Sequence, residues 1–309
     1  MVMMGFLVTA ALMVLLLGGG SAGFSQSSSV RPSALSGSWY PASREALEKQ
    51  ADGFLNIVAQ SVEGQEIVGM ISPHAGYSYS GEVAAWGYKN LLGLPFRRVI
   101  ILAPSHYVSF EGLSIPGVAF YETPLGRVRV DRESCEYLLE RPLFQSIPEA
   151  HGMEHAVEIQ LPFLQRTLKD FDLVPLVVGN LKDKHYEIVG DELKRLRNPD
   201  TLIIASSDFT HFGPRFGYVP FADDLRENIS RLDHDAIDLI LRKDWKGFLA
   251  YRKATQATIC GFRAIALLLR ILPPDSSGRL LQYRLSGDMT GDYTNSVSYA
   301  SIVFVRDGE

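Results

Sequence analysis

Four short stretches of this chain hold the residue types that bind metals and move protons. ISPHAGY carries His74, LAPSHY carries His106, ASSDFTHFG carries Asp208 and His211, and QATICGF carries Cys260. Imidazole nitrogen, carboxylate oxygen and thiolate sulfur are the usual protein donors to transition metals. An imidazole also titrates near neutrality, which suits proton transfer. Taken singly, each residue has an ordinary reading: a turn histidine, a capping Asp208, an exposed His211 beside Gly213 and Pro214. Their recurrence argues otherwise. Three apolar runs end in the same manner, and in α/β sheets the loops at the carboxyl ends of strands form the ligand crevice. These residues are therefore expected to share one polar pocket.

Cys260 immediately precedes an apolar helical run. A thiol there feels the positive end of the helix dipole, which favours the thiolate that binds metal or attacks carbon. A buried apolar cysteine and a Cys135–Cys260 disulfide are the competing readings; Cys135, in SCEYLLE, reads as a packed helix residue. A further cluster is HGMEHAVEIQLPFL. His151 and His155 stand i,i+4 and His155 and Glu158 i,i+3, so each pair can share a helix face. An HxxxH pair without further spaced ligands is a weak zinc signal, and Glu158 could instead support the first turn of a helix. His155 and Glu158 are read here as polar groups lining the pocket. His185 and His234 lie on polar helical stretches and are expected to be solvated.

The elements that must position these groups alternate along the chain. Strands are expected at 66–72, 98–103, 173–178 and 201–206. Runs such as VIILA and LIIA are apolar on successive residues, as a strand covered on both faces requires. Helices are expected over 81–92, 131–140, 157–169, 184–197, 222–242 and 260–271. The 112–130 segment has hairpin character, and 279–286 and 296–305 alternate as two closing strands. Strands alternating with helices define an α/β fold with a central mixed sheet flanked by helices. No linker divides residues 30–309, which are read as one domain.

Composition agrees with a folded domain. The chain has 309 residues, 46% hydrophobic and 21% charged, with a formal net charge of -5. That balance gives no electrostatic reason to bind nucleic acid, and two cysteines are too few for a disulfide framework. The N-terminus differs. Residues 1–29 carry no charged side chain, and Phe6–Leu17 is apolar apart from Thr9, followed by the small residues of GGGSAG. Its length matches a signal peptide better than a membrane span. The protein is expected to be exported or membrane-anchored through this segment, with membrane contact only there if it is uncleaved. An overextended start codon, leaving a cytoplasmic protein, is the alternative.

With the motifs on the page, the chain resembles the Memo family. The similarity runs from about Arg31 to Val305, through VRPSALSGSWYP, SPHAGYSYSG, PSHYVSFEGLSIPGVAFYETPLG, EHAVEIQLPFL, SSDFTHFGPRFGY, LDHDAIDLI, TICG and SGDMTGDY. The resemblance implies the α/β fold of the catalytic subunit of class III extradiol ring-cleaving dioxygenases. It also implies a metal held by two His and one Cys, here His74, His106 and Cys260, with Asp208 and His211 beside it. Two departures flank the site. Tyr107 follows His106 where many relatives have a second His, and TICG continues as FRAI rather than the commoner Arg-x-Pro-Ile.

The leading expectation is a mononuclear metalloprotein with redox or dioxygenase-like chemistry on a small-molecule or peptide ligand. Two imidazoles plus an anionic ligand leave coordination positions open, as in non-haem iron oxygenases. A thiolate in place of a carboxylate softens the site, favouring iron(II) or copper, with zinc as a third choice. His211 would then exchange protons, and Asp208 would orient an imidazole or a bound water. Two other classes stand beside it. One is a metal-independent thiol hydrolase with Cys260 as nucleophile, His211 as base and Asp208 as orienter. The other is a metal- or peptide-binding scaffold without turnover. A serine hydrolase is not expected, since Ser105 lacks a GxSxG elbow.

Overall fold

The computed structural model describes residues 29–307. The apolar leader therefore lies outside the described residues, apart from Ser29. No helix of the described residues is long and apolar enough to cross a membrane.

Four parallel strands form the centre of the main sheet, in the order Gln65–Ser72, Thr201–Ser206, Arg98–Pro104 and Asp172–Val178. Thr201–Ser206 is buried along its whole length and the other three over their last six residues, as covering helices on both faces demand. Gly69 and Met70 show the two faces directly. A side chain on Gly69 would meet Leu268 of the helix Phe262–Ile271 and Leu272 just after it, whereas Met70 reaches Gly87 of the helix Tyr77–Lys89. Outside Gln65–Ser72 the sheet turns antiparallel. The long strand Ser296–Asp307 pairs with it along one edge and with Ser277–Leu285 along the other.

Register is what matters for the site. Ser72 pairs with Ser206, and Leu102 pairs with the Ala205 just before it. Ser72, Pro104 and Ser206 are the last residues of their strands, and His74, His106 and Asp208 each follow by two residues. Parallel pairing in register thus delivers two imidazoles and a carboxylate to the same sheet edge.

Several expected elements differ. The continuous helix over 157–169 is instead two short ones, His155–Glu158 and Leu161–Thr167, with Pro162 opening the second; proline fits a first helical turn but not an interior. The last main helix begins at Phe262 rather than at Cys260, which sits in the preceding turn. Helices Arg44–Ile57 and Trp245–Thr255 were not drawn from the pattern. The 112–130 segment contains the expected hairpin, Phe120–Thr123 against Gly126–Arg129.

Candidate metal centre

His74 is buried at the end of its strand, and its ring is held by a chain of hydrogen bonds. Its Nδ1 lies 3.0 Å from Ser206 Oγ. That hydroxyl donates its one proton to the Ala156 carbonyl at 2.7 Å and accepts from Gln160 Nε2 at 2.8 Å. A hydroxyl has a single proton to give, so toward His74 it can only accept. Nδ1 therefore carries the hydrogen, and Nε2 presents a lone pair. Nε2 is 3.1 Å from Cys260 Sγ. Burial first, then the neighbouring His106, His155 and His211, hold the His74 imidazole well below its usual value, in the neutral form a metal requires.

His106 repeats the arrangement with a carboxylate. Its Nδ1 is 2.9 Å from Glu154 Oε1, and its backbone N–H donates to Glu154 Oε2 at 2.9 Å. Burial alone would raise the Glu154 carboxyl, but the His106 hydrogen bond, the charges of His106 and His155 and the Ala156 N–H together hold it below the usual range. An ionised carboxylate only accepts, so His106 Nδ1 is the donor, and Nε2 is the nitrogen that Glu154 does not engage. A carboxylate behind an imidazole is the arrangement that orients and strengthens metal-ligating histidines. Glu154 also caps the His155–Glu158 helix by accepting from Ala156 N–H at 3.0 Å.

Cys260 completes the group. One nitrogen each of His74 and His106 and the Cys260 sulfur lie within 4.8 Å of one another. A metal bonded to nitrogen at about 2.1 Å and sulfur at about 2.3 Å spaces its donors over a similar range. The turn is built tightly: a Cβ on Gly261 would lie 2.5 Å from the Ser206 carbonyl oxygen and from Ser207 Cβ. Only glycine lets this backbone lie against the strand end and hold the cysteine over it. The expected dipole-stabilised thiolate is not what this environment favours. Burial, with Asp208 adding to it, pushes the Cys260 thiol well above its ordinary value of 9.0. A cation between the sulfur and the imidazoles would supply the missing stabilisation.

Asp208 is buried and accepts from the His74 backbone N–H at 2.7 Å, while its other oxygen is 4.0 Å from His74 Nε2. Burial raises its carboxyl despite the nearby His211 and the backbone N–H groups of His74 and Ala75. His211 is partly exposed. Its Nδ1 faces the carbonyls of Phe209 and Thr258 at 3.0 and 3.1 Å, which makes Nδ1 the donor to them. His155 stacks on His106 with ring centroids 4.3 Å apart and stands edge-on to His74 at 5.3 Å. Burial, then His106, pushes its imidazole down to about 4.

Other sequence expectations resolve differently. Glu158 does not join the three imidazoles. It is fully buried and bonded to Arg31, Ser33 Oγ, Tyr40 and the backbone N–H groups of Ala34 and Leu35, which pin the N-terminal segment. His151 does not pair with His155: its nitrogens lie 3.1 Å from Tyr121 Oη and 3.0 Å from Ser114 Oγ. His185 is buried rather than solvated, its Nδ1 accepting from Lys182 N–H at the start of a helix. The two cysteines are free, with Cys135 buried in its helix. The imidazole touching Cys260 is His74, not the His211 expected of a hydrolase. Glu154 was missed altogether; an acid at a helix N-cap directly before a histidine was the available signal.

A parallel-centred sheet with imidazoles, a carboxylate and a thiol gathered at one strand edge defines an α/β protein with a candidate metal centre. The Memo-like protein family model matches residues 31–303, and the chain belongs to the Memo family. It is 32% identical to a memo-1 homolog of Caenorhabditis elegans, over 89% of this chain and 83% of that protein. Human MEMO1 is 31% identical, over 88% and 96%. A MEMO1 family protein of Thermoplasma volcanium is 33% identical, over 90% and 99%. Among solved structures, an uncharacterized protein from Escherichia coli K12 shares the fold at a TM-score of 0.53 and 14% identity, covering 77% of this chain and 99% of that one.

Proposed function

We propose that this protein binds one metal ion through His74 Nε2, His106 Nε2 and Cys260 Sγ, and uses it for redox or dioxygenase-like chemistry. The observation that carries the reading is the proton accounting. Ser206 and Glu154 each take an Nδ1–H, so Nε2 of each imidazole is the nitrogen left for a metal, and that of His74 lies 3.1 Å from the sulfur. Two imidazoles and one thiolate match iron(II) or copper, with zinc a third candidate. A bound ion would supply Lewis acidity and, if iron or copper, electron transfer.

The remaining residues are assigned by their contacts. Ser206 and Glu154 orient the imidazoles, and Asp208 holds the His74 backbone while placing a carboxylate oxygen beside Nε2. His211, partly exposed and with its Nδ1 committed to the Phe209 and Thr258 carbonyls, exchanges protons through Nε2. His155 packs against His106 and limits water on that side. The ligand is a small molecule or peptide, and the apolar leader directs export or anchoring. A metal-free thiol hydrolase would instead rest on the 3.1 Å Cys260–His74 contact, but a raised thiol is a poor nucleophile at neutral pH.

Elemental analysis after anaerobic purification tests the binding, and oxygen uptake over a catechol panel tests the chemistry. Stoichiometric metal is expected in the wild type and loss of it in His74→Ala and His106→Ala, with circular dichroism unchanged. Full occupancy in either folded variant would remove the two-imidazole assignment. Turnover that survives chelation but not alkylation would point to the hydrolase.

A further inference from the structure

A cleft of about 200 Å³ opens beside His106, walled by Ser105–Phe110 on one side and by Val178–Asn180 and Arg263 on the other. Arg263 stands three residues after Cys260, in the first turn of the Phe262–Ile271 helix. It occupies the stretch where this chain reads FRAI. Its guanidinium is half-buried, and among the described residues it makes no ion pair. One N–H donates to Asn180 Oδ1 at 3.0 Å, and the group lies 4.5 Å from the Phe262 ring centre. Asn180 is fixed in turn, because its Nδ2 donates to Ser109 Oγ at 3.1 Å. Arg252, on the same Phe262 ring at 4.4 Å, adds positive charge without joining the cleft lining.

The Ser109–Asn180 pair thus aims a cation that has donors to spare and no counter-charge into a cleft shared with His106. A guanidinium fork matches a carboxylate in shape, and such charge-assisted bonds are the stronger kind. The space suits a small body: a cavity of about 150 Å³ accommodates benzene. We infer that this cleft binds a small carboxylate-bearing molecule, with Arg263 holding the carboxylate and His106 at the other side of the ligand. The inference deepens the metal-site reading and rests on it for the reaction the ligand would meet, but not for the binding itself.

Benzoate is the probe, with benzyl alcohol as its uncharged counterpart, titrated by calorimetry into the metal-free and zinc-loaded full-length protein. Benzoate should bind the metal-free wild type and weaken by roughly tenfold or more in Arg263→Gln. Arg263→Lys should recover part of that loss, which separates charge from packing, and Arg252→Gln should stay close to wild type. Benzyl alcohol should bind no better than benzoate binds Arg263→Gln. Equal benzoate affinity in wild type and Arg263→Gln, equal affinity for the two probes, or no benzoate binding would overturn the inference. Binding confined to the zinc-loaded form and indifferent to Arg263→Gln would place the carboxylate on the metal, overturning the Arg263 site alone. Benzoate binding that follows Arg263 in a protein that fails to take up zinc would sustain this site and sink the metal reading.

Discussion

Metal affinity should rise with pH, and the slope should belong to Cys260. Above pH 7 the His74 ring is already neutral, because burial and its imidazole neighbours hold it well below 6.5. The Cys260 thiol is displaced the other way, upward from 9.0, by burial and Asp208. Metal binding must therefore expel the thiol proton. Each pH unit changes that cost by about 1.4 kcal/mol, or tenfold in affinity. Between pH 7 and 8.5, above the ordinary imidazole range, affinity should climb roughly 30-fold, worth about 2 kcal/mol. An ordinary exposed cysteine would begin to flatten this curve near pH 8.5; a raised thiol keeps it straight. Competition with a chromophoric chelator, using zinc as a redox-silent probe and correcting for the chelator's protonation, measures the slope. Cys260→Ser should be weaker and nearly flat over the same interval. A flat wild-type curve, or equal slopes in both proteins, would show that the sulfur is not a ligand.

Further outcomes follow from particular contacts and from the leader sequence. Glu154→Gln should lower zinc affinity by about 10- to 100-fold through the loosened His106 ring, with thermal stability falling far less than in Glu158→Ala; an unchanged affinity would dismiss Glu154 as an orienter. Glu158→Ala leaves Arg31 buried without its carboxylate and should destabilise the fold by about 3–5 kcal/mol in denaturant titration, and a loss under 1 kcal/mol would contradict the N-terminal latch. Arg31 and the other donors outweigh burial and hold the folded Glu158 carboxyl below its usual 4.5. Its contribution is thus complete above that value and fades as pH falls through the lower folded one, so acid titration should narrow the gap between wild type and Glu158→Ala. Export predicts a mature N-terminus between the GGGSAG segment and Ser29, read by N-terminal sequencing after fractionation, and an intact leader on a cytosolic species would refute it.

The strand-end residues were legible because the sheet repeats one construction. His74, His106 and Asp208 each stand two residues beyond a strand whose apolar run announces two-sided burial. Cys260 was legible from the helix it precedes, but its ionisation was not. The dipole argument is local, whereas the burial that outweighs it comes from packing across the fold. Glu158 and Glu154 show the same limit. Both flank His155, and which of them turns toward the imidazoles depends on a helix of only four residues and on Arg31, 127 residues away from Glu158. The helix Arg44–Ile57 was available, since Ser43 caps it at Ala46 N and Leu47, Ala51 and Leu55 repeat every four residues. His185 was misplaced because its helix is polar in composition but buries the face on which His185, Val189 and Leu193 recur.

X-ray absorption at the edge of the bound metal addresses the donor set most directly. The account predicts two imidazole nitrogens and one sulfur scatterer, the sulfur at roughly 2.3 Å, with the sulfur shell lost in Cys260→Ser and an imidazole lost in His74→Ala. A shell of nitrogen and oxygen alone in the wild type would contradict it.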